Sequence, residues 1–117
     1  MSAEDRQRGI EKFEEVMGFP APQVDDLFLD MTLEHLFADV WGRGGLSRRE
    51  RRLVTLAVIV CLGHKPTLKL HQRAAMKSGD LSDEDIDELV LHLAHYAGWP
   101  AAALASGVAR ELCAAGS

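Results

Sequence analysis

A chain of 117 residues holds a single domain, expected over 1–117, with one hydrophobic core and no room for two. Its 47% apolar and 26% charged residues exclude a disordered or fibrous chain. A net charge of −5 supplies no positive field, so neither nucleic acid nor an anionic membrane is an expected partner.

The opening residues "MSAEDRQRG" lack the apolar run of a signal peptide. Apolar residues recurring at three and four positions, with no sustained alternation, predict helices throughout. Ile10, Phe13, Val16 and Met17 mark the first, which "GFPAP" ends. Asp25 or Asp26 starts a second, carrying Leu27, Phe28, Met31, Leu33, Leu36, Phe37, Val40 and Trp41 up to "GRGG". Ser47 and Glu50 form an S-x-x-E capping box at the head of a third, which runs to about Gly63. Its apolar run, Leu53 to Gly63, is far below the roughly 20 residues of a membrane span. Pro66 suits the first turn of a fourth helix and Gly79 its left-handed end. Ser82, followed by Asp83, Glu84 and Asp85, opens the fifth, and Pro100 opens a sixth rich in alanine.

Helices three and five carry more apolar surface than one small bundle can cover. From Leu53 to Leu62 only Thr55 is polar, and Leu89, Val90, Leu91, Leu93, Ala94 and Tyr96 surround most of helix five. This predicts a homo-oligomer with helices packed across subunits, against the alternative of central helices in a monomer.

The chemistry-bearing residues cluster around "ERRLVTLAVIVCLGHKPTLKLH", Glu50 to His71. Glu50 and Cys61, at about 100° per residue, return to nearly the same helix face, so a carboxylate and a thiol can line one groove. Capping alone also accounts for Glu50. Cys61, inside an apolar run, reads as an inert buried thiol, and with Cys113 remote from it neither a disulfide framework nor a zinc site is indicated. A reducing cytoplasm suits that pattern. His71 sits beside Leu68, Ala74 and Ala75 at the inward edge of helix four, opposite a basic stripe of Lys65, Lys69, Arg73 and Lys77. A histidine there can move protons near neutral pH, or can satisfy a backbone carbonyl at an interface. His64 reads as exposed in the preceding turn. Glu88, His92 and His95 share a face of helix five, a spacing that permits a metal but more often belongs to an interface, so no metal is assigned.

The run "DVWGRGGLSRRERRLVTLAVIVCLGHKPTLKLHQRAAMKSG", continued by "LSDEDIDELVLHLAHYAGWPAA" and preceded by "RGIEKFEEVMG", resembles the carboxymuconolactone decarboxylase family. The most specific parts are Val40 to Leu46, "LKLHQRAA" around His71, and "YAGWPAA" at Tyr96 to Ala102. The resemblance implies an all-α, six-helix alkylhydroperoxidase D-like fold assembling as dimers or trimers of dimers. The alkylhydroperoxidase D branch runs a thiol relay from a glutamate, a CxxC pair and a histidine. Glu50 and His71 match two of these, but "CLGH" stands where the CxxC would be, so the decarboxylase branch is closer.

Carried over by position, His71 matches the family's helix-four histidine, Trp41 and Arg43 its W-x-R motif, Arg51 an arginine beyond the cap, and His35 a decarboxylase histidine. The implied reaction removes carbon dioxide from a carboxylated muconolactone in aromatic-compound catabolism. The lactone carbonyl accepts the released electrons, so no cofactor is required in principle. His71 is the expected general acid/base with Glu50 beside it, Arg51 or Arg43 the carboxylate anchor, and Trp41 and His35 the pocket wall. Two other readings stand beside this one. One is a thiol-dependent antioxidant protein using Cys61, Glu50 and His71; the other is a non-catalytic oligomeric module.

Overall fold

The computed structural model describes residues 2–116, which are helical and irregular, with no strand among them. Among the described residues there are six α-helices: α1 (Ala3–Met17), α2 (Leu27–Met31), α3 (Arg48–Leu62), α4 (Lys65–Lys77), α5 (Asp83–Tyr96) and α6 (Trp99–Ala114). A π-helical segment, Thr32–Val40, continues α2 without a break. The chain divides into two compact units, Met1–Arg48 and Arg49–Ser117.

In the first unit both α-helices are capped, α1 by a box not among the expected caps and α2 at one of the two expected aspartates. Ser2 and Asp5 make a reciprocal capping box on α1, and the Ser2 amide holds the Asp5 carboxyl at about 2, below its ordinary 3.8. Gly18 ends α1 at φ 79°, a left-handed conformation that costs glycine little. Asp26 caps α2, its carboxylate accepting from the Phe28 amide at 2.9 Å.

The single helix expected from Leu27 to Trp41 is α-helical only for its first turn. At the junction the Thr32 hydroxyl donates to the Phe28 carbonyl at 2.7 Å, and at the far end the Trp41 amide donates to the Leu36 carbonyl, five residues back, at 2.9 Å. Leu33, Phe37 and Ala38 are consequently the buried set, while Leu36 faces outward. Phe13, Val16 and Met17 of α1 and Ala21 complete the core with Leu33 and Phe37. Gly9 lets α1 approach this segment closely, since a Cβ there would stand 1.9 Å from the Leu33 carbonyl oxygen.

In the second unit α3, α4, α5 and α6 share one core. Leu56, Ile59 and Val60 meet Leu68, Ala75, Leu81, Ile86, Leu93, Ala105, Val108 and Leu112. α3 begins directly after Ser47 with Glu50 in its first turn, the register the capping box requires. α5 has a complete box between Ser82 and Asp85. Gly63 and Gly79 take the left-handed conformation after α3 and α4. His64 is exposed, as expected, and also caps α4: its Nδ1 accepts from the Thr67 amide at 3.3 Å.

The apolar surplus is real. Val54, Val58 and Leu62, four residues apart on α3, are exposed, as are Leu91 and Tyr96 on α5 and Trp99 on α6. No helix of the described residues is long and apolar enough to cross a membrane.

Candidate active site

His71 is half-buried on α4, in the second unit. Its neighbours on the helix explain why: Leu68, Gln72, Ala74 and Ala75 are buried and draw this face of α4 into the core. Burial first, and then the positive charge of Arg52, push the imidazole below its ordinary 6.5. The predicted inward-edge position is therefore observed. The basic stripe opposite is also observed, with Lys65, Lys69, Arg73 and Lys77 all exposed. Lys65 and Lys69 reach across to Glu111 of α6 at 2.9 and 3.2 Å, and their ammonium groups hold its carboxyl below the ordinary value.

Arg52 was not among the residues singled out in the sequence. It is 2% exposed, its Nε donates to Asp80 Oδ2 at 2.9 Å, and a terminal nitrogen donates to Ser78 Oγ at 3.2 Å. Four arginines, Arg48, Arg49, Arg51 and Arg52, flank Glu50 at the start of α3, and the signal that separates Arg52 from the others is periodicity. Arg52 lies four residues before the buried Leu56, on the face that also carries Ile59 and Val60. Gln72, beside His71, is buried too; its Nε2 donates to the Ala105 carbonyl at 3.5 Å and its Oε1 meets no protein donor.

Glu50 and Arg51 stand in the first turn of α3, Glu50 exposed and Arg51 half-buried. The other carried-over residues belong to the first unit. His35 is exposed on the π-helical segment with its Nδ1 3.6 Å from Asp39 Oδ2. Trp41 stacks on Phe37 with ring centroids 6.3 Å apart and 12° between planes, which fixes the indole at the end of that segment. Arg43 is exposed in the turn that follows, its amide bonded to the Val40 carbonyl at 3.2 Å.

One expectation is overturned. Cys61 is exposed, not buried, because α3 presents the strip next to Leu62 away from the core formed by Leu56, Ile59 and Val60. Cys113 is exposed as well, and partial desolvation of its sulfur followed by the charge of Asp83 raises its pKa above the ordinary thiol value. His92 and His95 have local partners. The first stacks on Tyr96 at 5.0 Å; the second places Nδ1 2.9 Å from the Leu91 carbonyl and meets Trp99 edge-on at 5.8 Å. Among the described residues no group of three or more metal-ligating side chains converges.

This arrangement can hold and move a proton. Burial and then a fixed cation disfavour the charged form of the imidazole, and an approaching carboxylate favours it.

Residues 26–111, which include His35, Trp41, Arg43, Glu50, Arg51, Arg52 and His71, match the Carboxymuconolactone decarboxylase family. The chain is 43% identical over 76 residues to a 4-carboxymuconolactone decarboxylase of Acinetobacter baylyi (strain ATCC 33305 / BD413 / ADP1), covering 65% of this chain and 56% of that protein. It is 40% identical over 73 residues to nitrosuccinic acid decarboxylase npaB of Metarhizium robertsii (strain ARSEF 23 / ATCC MYA-3075), covering 61% of this chain and 49% of that protein. The aligned stretch thus spans about half the length of each relative.

Proposed function

The chain belongs to the carboxymuconolactone decarboxylase family, and from that premise we propose that it is a cofactor-free decarboxylase of a small carboxylated lactone or similar acid, with His71 as the group that supplies the proton. One observation carries the reading: His71, which the resemblance matches to the family's helix-four histidine, is a half-buried imidazole under the influence of the Arg52 charge. Two relatives named as decarboxylases of carboxylic acids support the reaction class.

The chemistry balances without a cofactor. The bond between the lactone carbon and its carboxylate breaks, carbon dioxide leaves, and the bonding pair enters the conjugated carbonyl as a dienolate. A proton from His71 then closes the dienolate to the enol-lactone, and solvent restores it. An anionic substrate raises the proton affinity of His71 on arrival, which offsets the opposing effect of Arg52 and burial. The carboxylate anchor that the resemblance assigns to Arg51 or Arg43 suits a planar fork that binds two oxygens, and the roles of Glu50, Trp41 and His35 stay those that the resemblance implies.

The test is turnover of a panel of carboxylated lactones, followed by carbon dioxide release. His71→Gln keeps similar bulk but cannot deliver the proton, so the rate should fall roughly 10²–10⁴-fold with folding preserved. Arg51→Lys and Arg43→Lys, compared separately, should raise KM for whichever residue is the anchor. Near-parental turnover by His71→Gln would remove His71 from the chemistry and leave His35 as the next acid to test. The exposure of Cys61 keeps a second reading open to experiment: its thiolate would reduce a hydroperoxide to an alcohol, becoming a sulfenic acid that an external thiol returns to the reduced state.

A further inference from the structure

The turn after α4 is built around a side chain from α3. Arg52 is anchored there twice, by the Asp80 carboxylate at 2.9 Å and the Ser78 hydroxyl at 3.2 Å. Ser78 is itself fixed, since its Oγ donates to the Ala75 carbonyl at 3.1 Å and accepts from the Asp80 amide at 3.3 Å. Ser78 lies about two helical turns beyond His71, and positions so spaced share one face of a helix. The guanidinium is therefore held against the same face of α4 that carries the imidazole.

Stability alone is a poor reason for this pair. Desolvating two charges costs about as much as their attraction returns, and apolar replacements of equal volume are often neutral or stabilising. A charge retained at such a position invites a use for the charge. The charged groups on α4 and in contact with it or its turn are Lys65, Lys69, Arg73 and Lys77 on its outer side, Glu111 on α6, Asp80 in the turn and Arg52 on α3. Of these, Arg52 is the one whose charge bears on the imidazole.

We propose that Arg52 is a positioning residue for His71: an immobile positive charge, clamped by Asp80 and Ser78, that selects which protonation state of the imidazole an anionic substrate meets. Its catalytic meaning rests on the proposed role of His71, but the coupling between the two side chains is a property of the protein itself. In the free protein the fixed cation adds to burial in disfavouring the charged imidazole, and an arriving carboxylate draws a proton onto it from solvent. Arg52 is not the substrate's carboxylate anchor, because its fork is engaged by Asp80 and Ser78.

The experiment is a nuclear magnetic resonance titration of the full chain carrying isotope-labelled histidine, with His71→Gln identifying the resonance. Native His71 should titrate below the ordinary 6.5. Asp80→Asn, which leaves the guanidinium without its carboxylate, should move the titration lower, and Arg52→Gln should move it higher. A merely structural role would change melting temperature and leave the titration where it was. A native titration at or above 6.5, or one unmoved in either folded variant, overturns the proposal. If Arg52→Gln does not fold, the native chain and Asp80→Asn still decide. If the titration moves as stated but no lactone is turned over, the coupling stands and the proposed function falls. If turnover needs His71 while the titration ignores Arg52, the reverse holds.

Discussion

The Nε of Arg52 lies 2.9 Å from Oδ2 of Asp80, with side-chain exposures of 2% and 14%, so an ion pair near the start of α3 closes the turn after α4. Removing one partner strands a buried charge. Asp80→Ala should cost about 3–5 kcal/mol in denaturant unfolding, whereas Arg52→Met with Asp80→Leu should cost far less despite changing both residues. Equal losses in the two variants would mean that packing, not charge compensation, sets the value of the pair.

His71 predicts a pH dependence of stability with a definite sign. Its native pKa lies below the ordinary 6.5, so the unfolded chain takes up the proton first as pH falls. Its contribution is therefore fully present above that ordinary value and is lost as pH drops toward and through the lowered native one. His71→Gln should flatten this part of the melting-temperature profile while leaving the limb from carboxylates, at lower pH, in place. An unchanged profile in the variant would show that His71 is equally protonated in both states.

Cys61 separates lyase chemistry from thiol chemistry. Because the thiol is exposed, it should react with a maleimide in the folded protein, as should Cys113, and single-cysteine variants resolve the two. Cys61→Ser should retain lactone turnover and should abolish any hydroperoxide reduction. Loss of lactone turnover in that variant, with folding intact, would count against the proposed decarboxylase.

The expected homo-oligomer is tested on the α3 stripe of Val54, Val58 and Leu62. Light scattering should give a mass well above the 12.9 kDa of one chain, and Val58→Asp should lower it by burying a charge at any contact the stripe makes. A single-chain mass for the parent at micromolar concentration would end this expectation.

Much of the architecture is legible locally. Ser82 and Asp85, Gly18, Gly63, Gly79 and Pro66 act within a turn or two of themselves, through side-chain bonds to neighbouring amides or through allowed backbone angles, so their residue types announce helix ends. The inward-edge placement of His71 follows from helical spacing for the same reason. Other features depend on partners distant in the chain. Helical spacing puts Arg52 on the face of Leu56, but nothing near it in sequence names its ion-pair partners, because Ser78 and Asp80 lie beyond the next helix. The exposure of Cys61 depends on which side of α3 the other three helices cover, and an apolar run alone does not reveal that side. The π-helical pitch of Thr32–Val40 is likewise silent in a pattern of threes and fours. Sequence by itself determined where helices begin and end and which family motifs they carry, since those are local chemistry; the tertiary structure alone decided which polar groups are buried and what they face, since burial is a property of neighbours that only folding supplies.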